Sequence, residues 1–229
     1  MDFSLTPEQK MFRETVFRYG KEEIAPLCED ADLRGEFSPE IWEKLASFGI
    51  LGLPFPEELG GSGADLVTCC LAGEALGHAG VDGGSLLAWG AHTYLCAHNI
   101  FDYGTEEQKR TYVPRLASGE WIGCMGLTEP GSGSDAASLR TTAVKKADRY
   151  VLNGSKTFIT NGYLADLVIV VAKTDPEAGA KGTSLFLVEA GTPGFSKGKR
   201  LEKVGLMAQD TSELFFQDVR IPKENLLGK

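Results

Sequence analysis

Near Ser118 and Gly119 the hydrophobic pattern of this chain changes period. Before that point apolar residues return about every 3.6 positions; after it they come in short β-branched and aromatic runs. Such a switch splits a chain into a helical part and a β part. The expected fold is α+β multidomain: an all-α N-terminal helical domain over residues 1–120, then an all-β sandwich or barrel over residues 121–229.

The helical part carries its own start signals. Thr6, Pro7 and Gln9 form a capping-box opening ahead of Phe12, Val16 and Tyr19. Ser38 and Pro39 repeat it before Ile41, Leu45 and Phe48, and Gly49 supplies a stop. Asp65 is placed to cap a helix through Val67, Leu71 and Ala75, and Gly84 to about Asn99 is apolar enough for burial. Thr105 and Gln108 make another capping box before Tyr112 and Leu116; Pro114 is expected to kink or end that helix.

Strands are expected at 122–127, 139–144, 150–152, 156–160, 167–173, 184–189 and 213–219. Asn153-Gly154, lying between two of them, reads as a type I′ hairpin turn.

Composition narrows the function. With 42% hydrophobic and 24% charged residues the chain is an ordinary globular one, and a net charge of −9 offers no basic footprint for nucleic acid. No apolar run approaches the roughly 20 residues of a membrane span. The N-terminus lacks the basic-then-apolar layout of a signal peptide. The expected location is the cytoplasm in a bacterium, or the mitochondrial matrix with a leader removed in a eukaryote. Cys28, Cys69, Cys70, Cys96 and Cys124 are odd in number and form no C-x-x-C pair, so they read as free thiols acting as small buried hydrophobes. His92, Cys96 and His98 lack a second ligand pair and read as packing, not as a metal site.

The richest segment is GLTEPGSGSD, Gly126 to Asp135, which leaves a strand with hydroxyls and glycines whose backbone N–H groups can face a ligand. Gly131-x-Gly133-x-x-Ala136 fits the dinucleotide fingerprint formally, but no long helix follows and no acidic residue lies about 20 positions on, so a Rossmann fold is rejected. Gly198-Lys199 ends like a P-loop, but Arg200 stands where Ser or Thr is required. A second segment, FITNG at Phe158 to Gly162, closes a strand with an aromatic, a threonine and a turn.

Together, TEPGSGSD, FITNGYLAD and the C-terminal KVGLMAQDTSELFFQDVRIPKENLLG resemble, in order, the signatures of the acyl-CoA dehydrogenase family. The resemblance covers the whole chain. It implies the family's N-terminal helical and middle β domains, FAD as cofactor, and α,β-dehydrogenation of an acyl-CoA thioester. By position, the flavin would lie along Met125, Gly126, Leu127, Thr128, Glu129, Pro130, Gly131, Ser132, Gly133 and Ser134, with Phe158, Ile159 and Thr160 as a second wall. Phe158 stands where many members carry tryptophan. Ser134, Ala180 and Lys181 would contact substrate, Lys181 attracting CoA phosphates. Glu129 would be structural and not the base.

The resemblance places the catalytic glutamate in an all-α C-terminal domain beyond Lys229, so no catalytic residue and no metal ligand is assigned here. The chain by itself is expected to be inactive, and the faces such a bundle covers are expected to be exposed and apolar. Implied partners are acyl-CoA, an electron-transferring flavoprotein as acceptor and, only when the last domain is present, further copies in a homo-oligomer, a dimer or tetramer. The closing GFSKGKRLEKVGLMAQDTSELFF looks closest to long-chain members. Two other readings are an acyl-CoA oxidase and a non-catalytic flavin- or CoA-binding subunit of a split heteromeric enzyme.

Overall fold

Thr6 accepts the amide of Gln9 at 3.2 Å while Gln9 returns the favour to the Thr6 amide at 3.1 Å, and helix α1 (Pro7–Tyr19) begins there. The structure is a computed structural model and describes residues 4–228. Ser38, Asp65 and Thr105 cap α3 (Pro39–Ser47), α4 (Leu66–His78) and α7 (Glu106–Ala117) as their side chains lead one to expect. Residues 20–34 have no assignment from the sequence; they continue α1 through a π-helical turn (Gly20–Ile24) into α2 (Ala25–Arg34), which Gly35 ends in the left-handed conformation.

The apolar stretch after Asp82 is α5 (Gly83–Gly90), a π-helical segment (Ala91–Ala97) and α6 (His98–Tyr103). Helix α7 runs through Pro114 to Ala117, contrary to the expected kink or stop. Pro114 sits in the last turn, so the only donor lost is the one that would face the carbonyl of Arg110, a residue exposed to water.

The β half is one curled seven-stranded sheet. Its strands are β1 (Gly123–Gly126), β2 (Thr142–Lys146), β3 (Arg149–Thr160), β4 (Leu167–Lys173), β5 (Thr183–Glu189), β6 (Phe195–Arg200) and β7 (Thr211–Pro222). They run in the order β1-β4-β2-β3-β7-β6, with β5 also paired to β4. Two strand expectations need correction. Asn153-Gly154 is not a hairpin turn: β3 passes straight through it, and the reversal lies at Ala147-Asp148. Gly154 is required because a Cβ there would lie 2.4 Å from Thr141 Oγ1, on the chain that crosses it. Strand β6 escaped notice because it is a charged edge strand, FSKGKR, with no apolar alternation.

Strand β4 is buried along its whole length. Val168, Val170 and Ala172 face the sheet interior with Leu152, Phe186 and Val219. Leu167 and Ile169 face the other way, onto Ile100, Val113 and Leu116 of α6 and α7. A third core gathers Val16, Ile24, Leu45, Ala72 and Leu76 of the helical half, with Ala208 of the β half packed among them. The two halves are therefore joined by a core of their own. Four cysteines are buried, but Cys70 is exposed: it follows Cys69 on α4, and successive helical residues point about 100° apart.

Several large apolar side chains lie open, among them Leu66, Val67, Leu95, Tyr163 and Val204. No helix among the described residues is long and apolar enough to cross a membrane.

Candidate functional site

The two segments singled out by sequence meet at the open end of β1 and β3. Thr157 donates its backbone N–H to the Thr128 carbonyl at 2.9 Å, and Lys156 Nζ donates to the Leu127 carbonyl at 3.1 Å. The loop beyond β1 is thereby laid against the end of β3.

A β-bulge decides what β3 presents there. Lys156 pairs with Leu214 and Ile159 with Ser212, so three steps on β3 oppose two on β7. The extra residue reverses the alternation: Lys156 and Ile159 both point inward, and Phe158 points out. Phe158 adopts φ 58°, a left-handed conformation that a bulky aromatic rarely takes, and its residue surface is 68% exposed. An aromatic ring held in water at the cost of backbone strain is the signature of a surface built to receive something flat and apolar.

Polar groups without internal partners lie on the same two segments. The hydroxyls of Thr128 and Thr160, both half-buried, hydrogen-bond to nothing among the described residues. Neither do the backbone N–H of Thr128 and the N–H groups of Gly131, Gly133 and Ser134. Around Gly131 and Gly133 a Cβ would meet nothing within 4 Å, so the backbone there is open to close approach. An exposed aromatic face and unpartnered donors on two joined segments suit a planar heteroaromatic ligand with acceptor atoms on its rim. The flavin expected from the sequence is such a group.

Other residues of the two segments serve the frame. Glu129 is 7% exposed, and its carboxylate accepts from Lys156 Nζ at 2.7 Å, the Arg140 amide at 2.6 Å and the Thr141 amide at 3.0 Å. Burial pushes its pKa up, but Lys156 and those amides outweigh it and hold the carboxyl below its ordinary value, so it is ionised. Ser132 is buried, donating its hydroxyl to the Asp135 carbonyl at 2.7 Å. Ile159 sits in the sheet core, leaving only its backbone near the site.

Ser134 is exposed just before a 3-10 turn (Ala136–Ser138) that packs beside the turn Pro176–Gly182, which carries Ala180 and Lys181. All three expected substrate residues thus gather at one end of the sheet, on its surface.

Three residues of the site's support were not singled out from the sequence. Lys156 is fully buried; a period of two counted from Tyr150 and Leu152 does land on it, but its charge argues against the core. Asn161 (φ 63°) follows Thr160 and donates Nδ2 to the Ala88 carbonyl at 2.8 Å and the Gly123 carbonyl at 3.3 Å, tying the turn to α5 and β1. Asp210 shapes the same turn: its carbonyl accepts from the Asn161 amide and its carboxylate from the Tyr163 amide at 2.7 Å. Burial raises the Asp210 pKa, with the Tyr163 amide opposing. His92 is a buried structural residue, and no metal-binding cluster occurs among the described residues.

Comparison with known proteins identifies the family. The acyl-CoA dehydrogenase N-terminal domain family matches residues 6–120, and the acyl-CoA dehydrogenase middle domain family matches residues 124–219. A short-chain specific acyl-CoA dehydrogenase of Clostridium acetobutylicum is 44% identical over 229 residues, covering 100% of this chain and 60% of that protein. The mitochondrial long-chain specific acyl-CoA dehydrogenase of Rattus norvegicus is 45% identical over 224 residues, 97% of this chain and 51% of the relative. The structure of butyryl-CoA dehydrogenase from Megasphaera elsdenii superposes with a TM-score of 0.93 at 42% identity, covering 100% of this chain and 60% of that one. The chain spans about half to three fifths of the length of these relatives. Proteins named for short and for long chains are equally similar to it, so overall identity carries no preference between them.

Proposed function

Because the chain belongs to the acyl-CoA dehydrogenase family, we propose that its two facing segments form the flavin wall of an enzyme that desaturates acyl-CoA thioesters at the α,β position. FAD, the cofactor of the family, supplies the acceptor for the hydride that leaves the β-carbon. The observation that carries this reading is Phe158, strained and exposed beside the unpartnered Thr128 and Thr160 hydroxyls.

Each residue has a physical task. Phe158 offers its ring face for stacking. Thr128 and Thr160 offer donors fixed before the ligand arrives, so negative charge developing on the ring meets hydrogen bonds that need no reorganisation. The open amides at Gly131, Gly133 and Ser134 suit the polar parts of the cofactor or the thioester. Ser134, Ala180 and Lys181 line the substrate end, where the exposed Lys181 ammonium suits the phosphates of CoA.

Glu129 is the buried carboxylate of the first segment, and it is committed to the Lys156 ammonium and the Arg140 and Thr141 amides. It does not take the α-proton. The proposed base is a carboxylate supplied from outside residues 1–229, and an electron-transferring flavoprotein is the proposed acceptor.

The test is a Thr128→Val/Thr160→Val pair in the intact protein. FAD affinity is expected to fall at least tenfold, with the rate of enoyl-CoA formation falling too. Undiminished cofactor retention together with an undiminished rate would remove the basis for this function.

A further inference from the structure

Lys156 carries a charge that the proposed reaction does not use. Its side chain is wholly buried, and its stem runs beneath Gly126, where a Cβ would come within 3.2 Å of Lys156 Cγ. The ammonium ends between the Leu127 carbonyl (3.1 Å) and Glu129 Oε1 (2.7 Å). A site that needed only filling would hold an apolar residue of similar volume at no loss, and often at a gain, of stability. The charge calls for another reason.

The peptide geometry supplies it. Peptides here are trans, so the Leu127 carbonyl and the Thr128 N–H, which share one peptide plane, point in opposite directions. With the carbonyl drawn inward by the ammonium, the Thr128 N–H faces outward, and it has no acceptor within the chain. The following peptide is fastened on both sides: Thr157 N–H donates to the Thr128 carbonyl, and Glu129 N–H donates to the Ser132 carbonyl, each at 2.9 Å.

We propose that Lys156 is a positioning residue: its ammonium, anchored by Glu129, sets the Leu127–Thr128 peptide so that the Thr128 N–H is presented to an acceptor atom of the bound ligand. The identity of that ligand as FAD rests on the function proposed above; the orientation of the peptide does not.

The experiment replaces the pair with neutral residues of similar size, Glu129→Gln/Lys156→Met, in the intact protein. Removing both charges together leaves no unpaired ion, so the cofactor-free double variant is expected to fold, with a thermal midpoint well above that of Glu129→Gln alone. FAD binding, read by titration of flavin fluorescence, is expected to weaken about tenfold, and a crystal structure of the variant is expected to show the Leu127 carbonyl turned away from its present direction. A carbonyl that has not moved overturns the proposal whether or not FAD binds. So does unchanged FAD affinity in a folded variant.

If the variant does not fold, hydrogen exchange on the unsubstituted protein decides. The Thr128 amide is expected to gain protection when FAD is added; flavin bound by its visible absorption beside an unprotected Thr128 amide overturns the proposal. A protein that folds and takes up no FAD defeats the flavin reading instead, and the carbonyl direction in the variant then judges the role of Lys156.

Discussion

His92 Nδ1 accepts the backbone N–H of Gly123 at 3.0 Å, which fixes the tautomer of a histidine buried between the helices and the sheet. Since the Gly123 amide can only donate, the ring proton resides on Nε2, which donates to the Leu116 carbonyl at 2.9 Å. The ring also meets Trp42 edge-on at 4.9 Å between centroids. One neutral imidazole therefore links the π-helical segment, the end of α7 and the first strand.

Acid should attack this link. Burial lowers the His92 pKa to about 4, with the Leu116 carbonyl opposing, against 6.5 for the unfolded residue. Between those values the unfolded chain binds more protons, so the contribution is complete above pH 6.5 and is lost as pH falls toward 4. The shift corresponds to about 3 kcal/mol. Urea unfolding from pH 7 to pH 4 should show that slope, and His92→Leu should lack it while being less stable at pH 7.

Phe158 is expected to oppose stability to binding. Phe158→Gly removes left-handed strain from a residue that buries little, and the cofactor-free protein should gain about 1 kcal/mol in chemical denaturation. The same change should weaken FAD binding, whereas Phe158→Trp should preserve or tighten it. A glycine variant that binds FAD as well as the parent would show that the ring has no part in the site.

Asn161 is buried, left-handed and bonded to carbonyls on two elements. Asn161→Ala should cost about 2–4 kcal/mol, adding the loss of both Nδ2 hydrogen bonds to an unfavourable φ. Asn161→Gly should recover only the backbone share. Asn161→Asp, which sets carboxylate oxygens against the Ala88 and Gly123 carbonyls, should be the least stable of the three by equilibrium denaturation.

The Glu129–Lys156 pair should show strong coupling. Glu129→Gln alone leaves the buried ammonium without its counter-charge and should cost about 3 kcal/mol, while the double change with Lys156→Met should recover most of that. The carboxylate's pKa lies below 4.5, so its share of stability is present above that value and fades as pH falls through the lower, folded one. A double-mutant cycle at pH 7 measures the coupling directly.

What was legible in the sequence was mostly local. Thr6, Ser38, Asp65 and Thr105 announce their helices because a cap is satisfied within three residues. The segments at Thr128 and Phe158 were legible from their signatures. What they present was not, because the outward turn of Phe158 depends on a bulge whose register is set by β7, more than fifty residues on. Asn153-Gly154 misled for a related reason: its glycine answers to Thr141 packed against it, not to a reversal of the chain. Lys156 and Asn161 act through contacts made across the fold, and pattern alone assigns them no partner.

The shared core of Leu167, Ile169 and Leu187 with Ile100, Val113 and Leu116 has a practical consequence. A clone started at residue 121 would keep every strand and yet lay bare the far side of β4 and β5, an oily plate with no lid. Such a product should come out as aggregate, and co-expressing the helical half should rescue it. Here the seam that is easiest to see in the primary structure is the poorest place to cut.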